Sequence, residues 1–179
     1  MPRMMDASVL LRVLALLRDV GCEVWVAGGW GIDALVGKVT REHRDLDLLH
    51  RVEQEPLLIK TLEAAGFAEQ SDASPGRPVR FVMKDQRGHE LDLHPLRFEA
   101  DGSAVQQADG HGGVFLYPAD AFTTGMIESV AVGCLSAAQQ VAFHQGYEPS
   151  DRDRHDMAQL REAFGIATHF RTACGRRSP

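Results

Sequence analysis

Asp45 and Asp47 stand one residue apart in Asp45-Leu46-Asp47-Leu48-Leu49-His50. On an extended strand, residues two apart face the same side, so both carboxylates leave one face and Leu46 and Leu48 the other. Hard divalent cations prefer such oxygen ligands. A second alternation, Glu90-Leu91-Asp92-Leu93-His94, sets two acids and a histidine on one face. A third carboxylate from that strand would complete a metal site or act as a general base. Spacing alone does not choose between Glu90 and Asp92. Upstream, Gly28-Gly29 breaks an apolar run and lets a ligand approach bare backbone. Lys38, Arg41, His43 and Arg44 follow, and such cations suit a triphosphate. Singly, each feature is an ordinary turn, a solvated loop or the wet face of a strand. In this order they describe metal-dependent nucleotidyl transfer.

The elements that must position these groups are readable from periodicity. Asp6 to Val20 reads as a helix, with Leu10, Val13, Leu14 and Leu17 at helical spacing and Gly21 at its end. Val24 to Ala27 reads as a short buried strand. A helix is expected from Trp30 to Val36, its first amides facing the glycine turn and favouring an anion. Asp45 to His50 reads as a strand and Glu55 to Ala65 as a helix. Ser71 to Pro78 is turn-rich. Val79 to Lys84 and His89 to His94 read as a hairpin around Asp85 to Gly88. Leu96 to Gly113 is rich in Gly, Asp and Gln and reads as a loop or a loose hairpin, with His111 on its surface. Val114 to Tyr117 and Ser129 to Val132 suit short strands. From Leu135 the pattern turns helical: Ser136 with Gln139, and Ser150 with Asp153, have capping-box spacing. The second of these starts a helix over Asp151 to Phe164, and a basic tail runs from Arg171 to Pro179.

The chain has 179 residues, 44% of them hydrophobic, enough for one globular domain or a domain with a small appendage. A formal charge of -6 gives no footprint for long nucleic acid. Cys22, Cys134 and Cys174 are odd in number and far apart, which suits a reducing cytoplasm rather than a disulfide framework or zinc site. No apolar run is long enough to span a bilayer, and no secretory pattern opens the chain. A soluble cytoplasmic protein is expected.

His43-Arg44-Asp45-Leu46 copies the start of a protein-kinase catalytic loop. A kinase needs an asparagine five residues after the aspartate, where His50 stands, and a glycine-rich loop and Asp-Phe-Gly segment that are absent from the sequence. The wider pattern points elsewhere. Gly28-Gly29-Trp30, Asp33, Gly37, Arg41, His43, Asp45 and Asp47, at these spacings, resemble the antibiotic nucleotidyltransferases of the DNA polymerase β-like superfamily. The likeness continues at Leu91-Asp92-Leu93-His94-Pro95, Asp101-Gly102-Ser103, Phe143-His144, Gly146-Tyr147 and His155-Asp156, in order along nearly the whole chain. It is nearest to the short-type lincosamide nucleotidyltransferases, with the aminoglycoside 2″-nucleotidyltransferases further away.

The resemblance implies an α+β fold: a mixed twisted sheet flanked by helices, with residues 1–133 as the catalytic core and 134–179 as a helical segment packed on it. It implies that Gly28, Gly29, Trp30, Arg41 and His43 hold the nucleotide, ATP or another NTP. It assigns Asp45, Asp47 and Asp92 to Mg2+ and catalysis, which chooses Asp92 over Glu90 and makes it a metal ligand, a base toward the acceptor hydroxyl, or both. His94, Tyr147 and His155 become contacts to nucleotide or acceptor. The acceptor would be a hydroxyl of a small antibiotic, lincosamide-like, and AMP the group transferred. An aminoglycoside acceptor, or a toxin–antitoxin enzyme acting on protein or RNA, are the alternatives. A homodimer is compatible with the resemblance.

Overall fold

The computed structural model describes residues 3–168. Among them nine strands form one mixed sheet in the order β3-β4-β5-β2-β1-β9-β8, with β6 and β7 continuing from the far end of β5. The strands are β1 (Val24–Val26), β2 (Asp45–Arg51), β3 (Phe67–Gln70), β4 (Phe81–Asp85), β5 (Glu90–Phe98), β6 (Ala104–Gln107), β7 (Val114–Tyr117), β8 (Phe122–Ile127) and β9 (Val130–Leu135). The helices are α1 (Ala7–Asp19), α2 (Gly28–Val36), α3 (Glu55–Ala64), α4 (Ala137–Phe143) and α5 (Asp151–Phe164).

The alternation in β2 and β5 decides how the sheet is covered. Leu46, Leu48, Leu91 and Leu93 are fully buried, in one core cluster with Leu10, Val13 and Leu17 of α1 and Leu58 and Leu62 of α3. Each such leucine contributes about 1.5–3 kcal/mol relative to exposure. A register slip of one residue would swap these leucines for the acids, so burial pins the pairing. The opposite face carries a smaller cluster, Leu49, Leu96, Ala104, Tyr117 and Leu135, beside the acids. At one end of the sheet, Met157 and Leu160 of α5 seat on Ile32 of α2. Ser150 and Asp153 form the expected capping box on α5, with reciprocal side-chain to backbone bonds.

Several expected boundaries move. Helix α2 begins at Gly28 with Ala27 as its cap, two residues before Trp30. Strand β5 runs through Pro95 to Phe98, and β6 forms inside the stretch that reads as a loop or a loose hairpin, pairing antiparallel with β7. Proline is tolerated there because β4 pairs β5 only from Glu90 to Leu93, leaving one edge of Pro95 without a ladder partner. Strands β3 and β8 have no counterpart in the expectations, and β9 runs to Leu135, past the expected end at Val132. Gly125 in β8 lies so close to the Ala34 carbonyl of α2 that a Cβ would collide with it. The expected tail, Arg171 to Pro179, lies outside the described residues, as does Cys174.

Candidate active site

Parallel pairing of β2 and β5 sets Asp47 beside Asp92 and Asp45 beside Glu90. The next residue on that face of β5 is His94. Asp47, Asp92 and His94 each offer a ligand atom, all within 4.8 Å of one another. Asp45 and Glu90 lie outside this group, one step along the sheet. Asp45 still feels it: burial, then the charges of Asp47, Asp92 and Glu90, push its carboxyl up to about 6. Burial likewise pushes Asp92 up, with His94 and Arg80 partly offsetting the rise.

The two oxygens of Asp92 differ. Oδ2 accepts from Arg80 Nη1 at 2.7 Å, whereas Oδ1 is buried without a hydrogen-bond partner, 3.6 Å from His94 Nε2. An orphaned carboxylate oxygen in a nest of acids is what a hard cation or a substrate hydroxyl would satisfy. The oxygen-rich donor set therefore fits Mg2+.

His94 is held from both sides. Tyr117 donates to Gln106 Oε1 at 2.6 Å, and Gln106 Nε2 faces both the Val79 carbonyl at 3.1 Å and His94 Nδ1 at 3.2 Å. With the carbonyl fixing the amide, Nδ1 accepts and Nε2–H points at Asp47 Oδ1, 3.2 Å away. Burial opposes charge on His94, but Asp47 and Asp92 outweigh it and raise its pKa.

At the start of α2 the glycines are not bare. A Cβ on Gly28, whose φ is +58°, would collide with the Asp47 carboxylate. A Cβ on Gly29 would collide with Arg41 Nη2 and lie 2.7 Å from His43 Nδ1. Glycine is required here because the site's own side chains lie against the turn. Trp30 is buried and stacks on His43, ring centroids 4.3 Å apart. Asp33, fully buried, takes hydrogen bonds from Thr40 N, Thr40 Oγ1 and His43 Nε2, fixing the loop that carries Arg41. The Arg41 guanidinium is gripped by Asp156 through Nε at 2.8 Å and Nη2 at 2.7 Å, and Asp156 raises its pKa further. Lys38 and Arg44 point to solvent.

A cavity of about 400 Å3 opens beside the acids. Gly28, Asp47, Arg80 and His94 form its polar end, and Leu49, Val79, Phe115, Leu135 and Phe143 its apolar wall. Tyr147, 44% exposed beyond α4, and His155, bonded to Thr40 Oγ1 at 3.1 Å, do not line it. Sequence reasoning missed Arg80, Gln106, Tyr117 and the Asp156 pairing. None carries a local signal, because each meets its partner across the sheet or between distant elements. Asp33 stands inside the glycine-to-aspartate motif, the one cue that could have singled it out.

Comparison with known proteins agrees with this geometry. The family model for aminoglycoside-2″-adenylyltransferases matches residues 9–160. The lincosamide resistance protein of Staphylococcus haemolyticus is 32% identical over 152 residues, 85% of this chain and 92% of that protein. The lincomycin-bound structure of the lincosamide antibiotic adenylyltransferase LnuA is 30% identical with a TM-score of 0.80, covering 90% of this chain and 99% of that one. The structure of ANT(2″)-Ia with adenylyl-2″-tobramycin shares the fold at 19% identity, with a TM-score of 0.69 and 87% of each chain covered. The chain belongs to the aminoglycoside-2″-adenylyltransferase family, and its fold is the α+β nucleotidyltransferase fold.

Proposed function

We propose, from membership of that family, that the chain transfers AMP from ATP to a hydroxyl of a lincosamide-like antibiotic, releasing pyrophosphate and inactivating the drug. The observation that carries this reading is the β2–β5 register, which sets Asp92 beside Asp47, and Asp47 lines the polar end of a cavity whose other wall is apolar. That wall favours a lincosamide over an aminoglycoside. A polycation gains little from Leu49, Val79, Phe115 and Phe143, whereas a neutral ring with an alkyl substituent buries against them.

In this reading Asp45, Asp47 and Asp92 hold Mg2+. Bound there, the ion would neutralise charge on the oxygens of the triphosphate, those of the reacting α-phosphate included. The protein's own groups do the rest. Gly28 and Gly29 open α2 so that its first amides, with Arg41 and His43 beside them, orient the phosphates. Asp92 Oδ1 accepts the proton of the acceptor hydroxyl as that oxygen attacks the α-phosphorus, and the elevated basicity of a buried carboxylate assists. Arg80 fixes the Asp92 carboxylate through its other oxygen, and Gln106 fixes His94. Most of the acceleration comes from positioning and from charge complementarity in a dry site. Residues 1–133 supply the acids, Arg41 and the glycine turn, and α4 and α5 pack on α2 beside them. Two buried free cysteines, Cys22 and Cys134, suit a reducing cytoplasm where ATP and Mg2+ are plentiful. No helix among the described residues is long and apolar enough to cross a membrane.

The test is incubation with MgATP and a panel of lincosamides and aminoglycosides, read by mass spectrometry. An AMP adduct on lincosamides alone is expected. Adducts confined to aminoglycosides would overturn the acceptor assignment, and labelled protein or RNA in a lysate would overturn the drug reading altogether.

A further inference from the structure

We propose that Asp156, on α5, is a positioning residue for nucleotide binding: it aims the Arg41 guanidinium across the glycine turn so that Arg41 meets the triphosphate. The inference rests on the reading of Arg41 as a phosphate contact.

Asp156 lies 115 residues from Arg41 in sequence and is 3% exposed. Its two oxygens take Arg41 Nε and Nη2, a fork-to-fork geometry that fixes both the position and the plane of the guanidinium. Arg41 Nη1 donates to the Glu42 carbonyl at 3.0 Å. Arginine has five N–H donors. Three are occupied by these bonds, and the others lie on the Nη nitrogens, of which Nη2 lies directly over Gly29. That nitrogen therefore sits at the N-terminus of α2, where backbone amides favour a phosphate. His43 Nδ1 lies over the same glycine, and Asp33 holds its ring from behind through Nε2. Two basic groups thus converge on one turn, each backed by a buried carboxylate.

The platform under Asp156 is firm. Met157 and Leu160 pack α5 onto Ile32 of α2. A second link joins the same two elements: Thr40 gives its hydroxyl proton to Asp33 Oδ1 and accepts from His155 Nε2 at 3.1 Å. Stability alone is a poor reason for the Arg41–Asp156 pair. Buried ion pairs roughly break even against apolar packing, and their best-attested use is to fix geometry. Arg41 also feels the charges of Asp33 and Asp45, so a loosened guanidinium has competing carboxylates to turn to. Asp156 keeps it on the phosphate side.

The test is calorimetric titration of the full chain with Mg2+ and α,β-methylene-ATP, alongside steady-state KM for ATP. Asp156→Ala and the near-isosteric Asp156→Asn are compared with Arg41→Ala and the double variant, with melting temperatures recorded for all. Losing an aimed charge-assisted bond weakens nucleotide binding by about tenfold or more. That loss is expected in both Asp156 variants, with KM for the acceptor unchanged, rescue in Asp156→Glu, and no further loss when Asp156→Ala is added to Arg41→Ala. If Arg41→Ala weakens binding and Asp156→Asn does not, or if the two effects add, the positioning role fails while the phosphate contact stands. If Arg41→Ala leaves binding intact, the contact itself fails and the proposal with it.

Discussion

Asp45→Asn should stabilise the metal-free protein while destroying its function. Burial, and then the charges of Asp47, Asp92 and Glu90, oppose ionisation of Asp45, and its carboxyl rises from an ordinary 3.8 to about 6. That rise corresponds to about 3 kcal/mol of unfavourable free energy once the group is charged. The sign follows from proton linkage. Below pH 3.8 both folded and unfolded chains hold the proton, and Asp45 causes no penalty. Between 3.8 and about 6 the folded chain binds a proton that the unfolded chain has lost, so stability falls as pH rises and is lowest above 6. Asparagine is neutral throughout. The variant should therefore melt higher than the parent by at most ~6–12 °C near pH 8, taking roughly 2–4 °C per kcal/mol for a chain of this size. The gap should close toward pH 4. Partial solvent access to Asp45 makes that figure a ceiling. The assay is thermal melting in EDTA across this range, repeated with excess Mg2+. Added Mg2+ should raise the parent's melting temperature and the variant's far less. Equal melting at every pH, or a variant less stable at pH 8, would refute the reasoning that burial and then like-charge crowding oppose the ionised carboxylate.

Three further outcomes follow from the packing around the cavity. Gly29→Ala places a methyl where Arg41 Nη2 and His43 Nδ1 now lie, so it should raise KM for ATP and cost about 1–3 kcal/mol in denaturant unfolding. Phe143→Ala removes part of the apolar wall, so KM for a lincosamide should rise at least fivefold, on the order of 1 kcal/mol, with KM for ATP unchanged in initial-rate assays. Gln106→Leu takes away the donor that fixes His94 Nδ1 and should lower kcat with little change in KM for ATP.

The acid-bearing strands were legible because period-two alternation is local. Leu46 and Leu48 must be buried, so Asp45 and Asp47 must leave the other face. Asp92 was not separable from Glu90 by that rule, because both lie on the same face. The difference is register: Asp92 stands opposite Asp47, and Glu90 opposite Asp45. Family resemblance selected Asp92, and strand pairing supplies the physical reason for its meeting with Asp47. The break expected near Pro95 was sound local chemistry, undone by the earlier end of the β4 ladder. Strand β6 was legible only as one arm of a loose hairpin, because glutamine carries no burial signal, while Gln106 is 4% exposed and bonded to Val79 and Tyr117. The glycine pair was legible as a turn, but not what presses on it: Asp47, Arg41 and His43 come to it from strand and loop, and only the folded chain brings them there.

The central claim is that the acid cluster directs nucleotidyl transfer and not phosphoryl transfer. It is tested most directly by running the reaction with lincomycin and ATP radiolabelled either on the α- or on the γ-phosphorus, for the parent chain and for Asp92→Asn. The account predicts that the parent carries α-label onto the drug and releases γ-label as pyrophosphate, with neither event in Asp92→Asn. Label from the γ-phosphorus on the drug, or full α-transfer by Asp92→Asn, would contradict it.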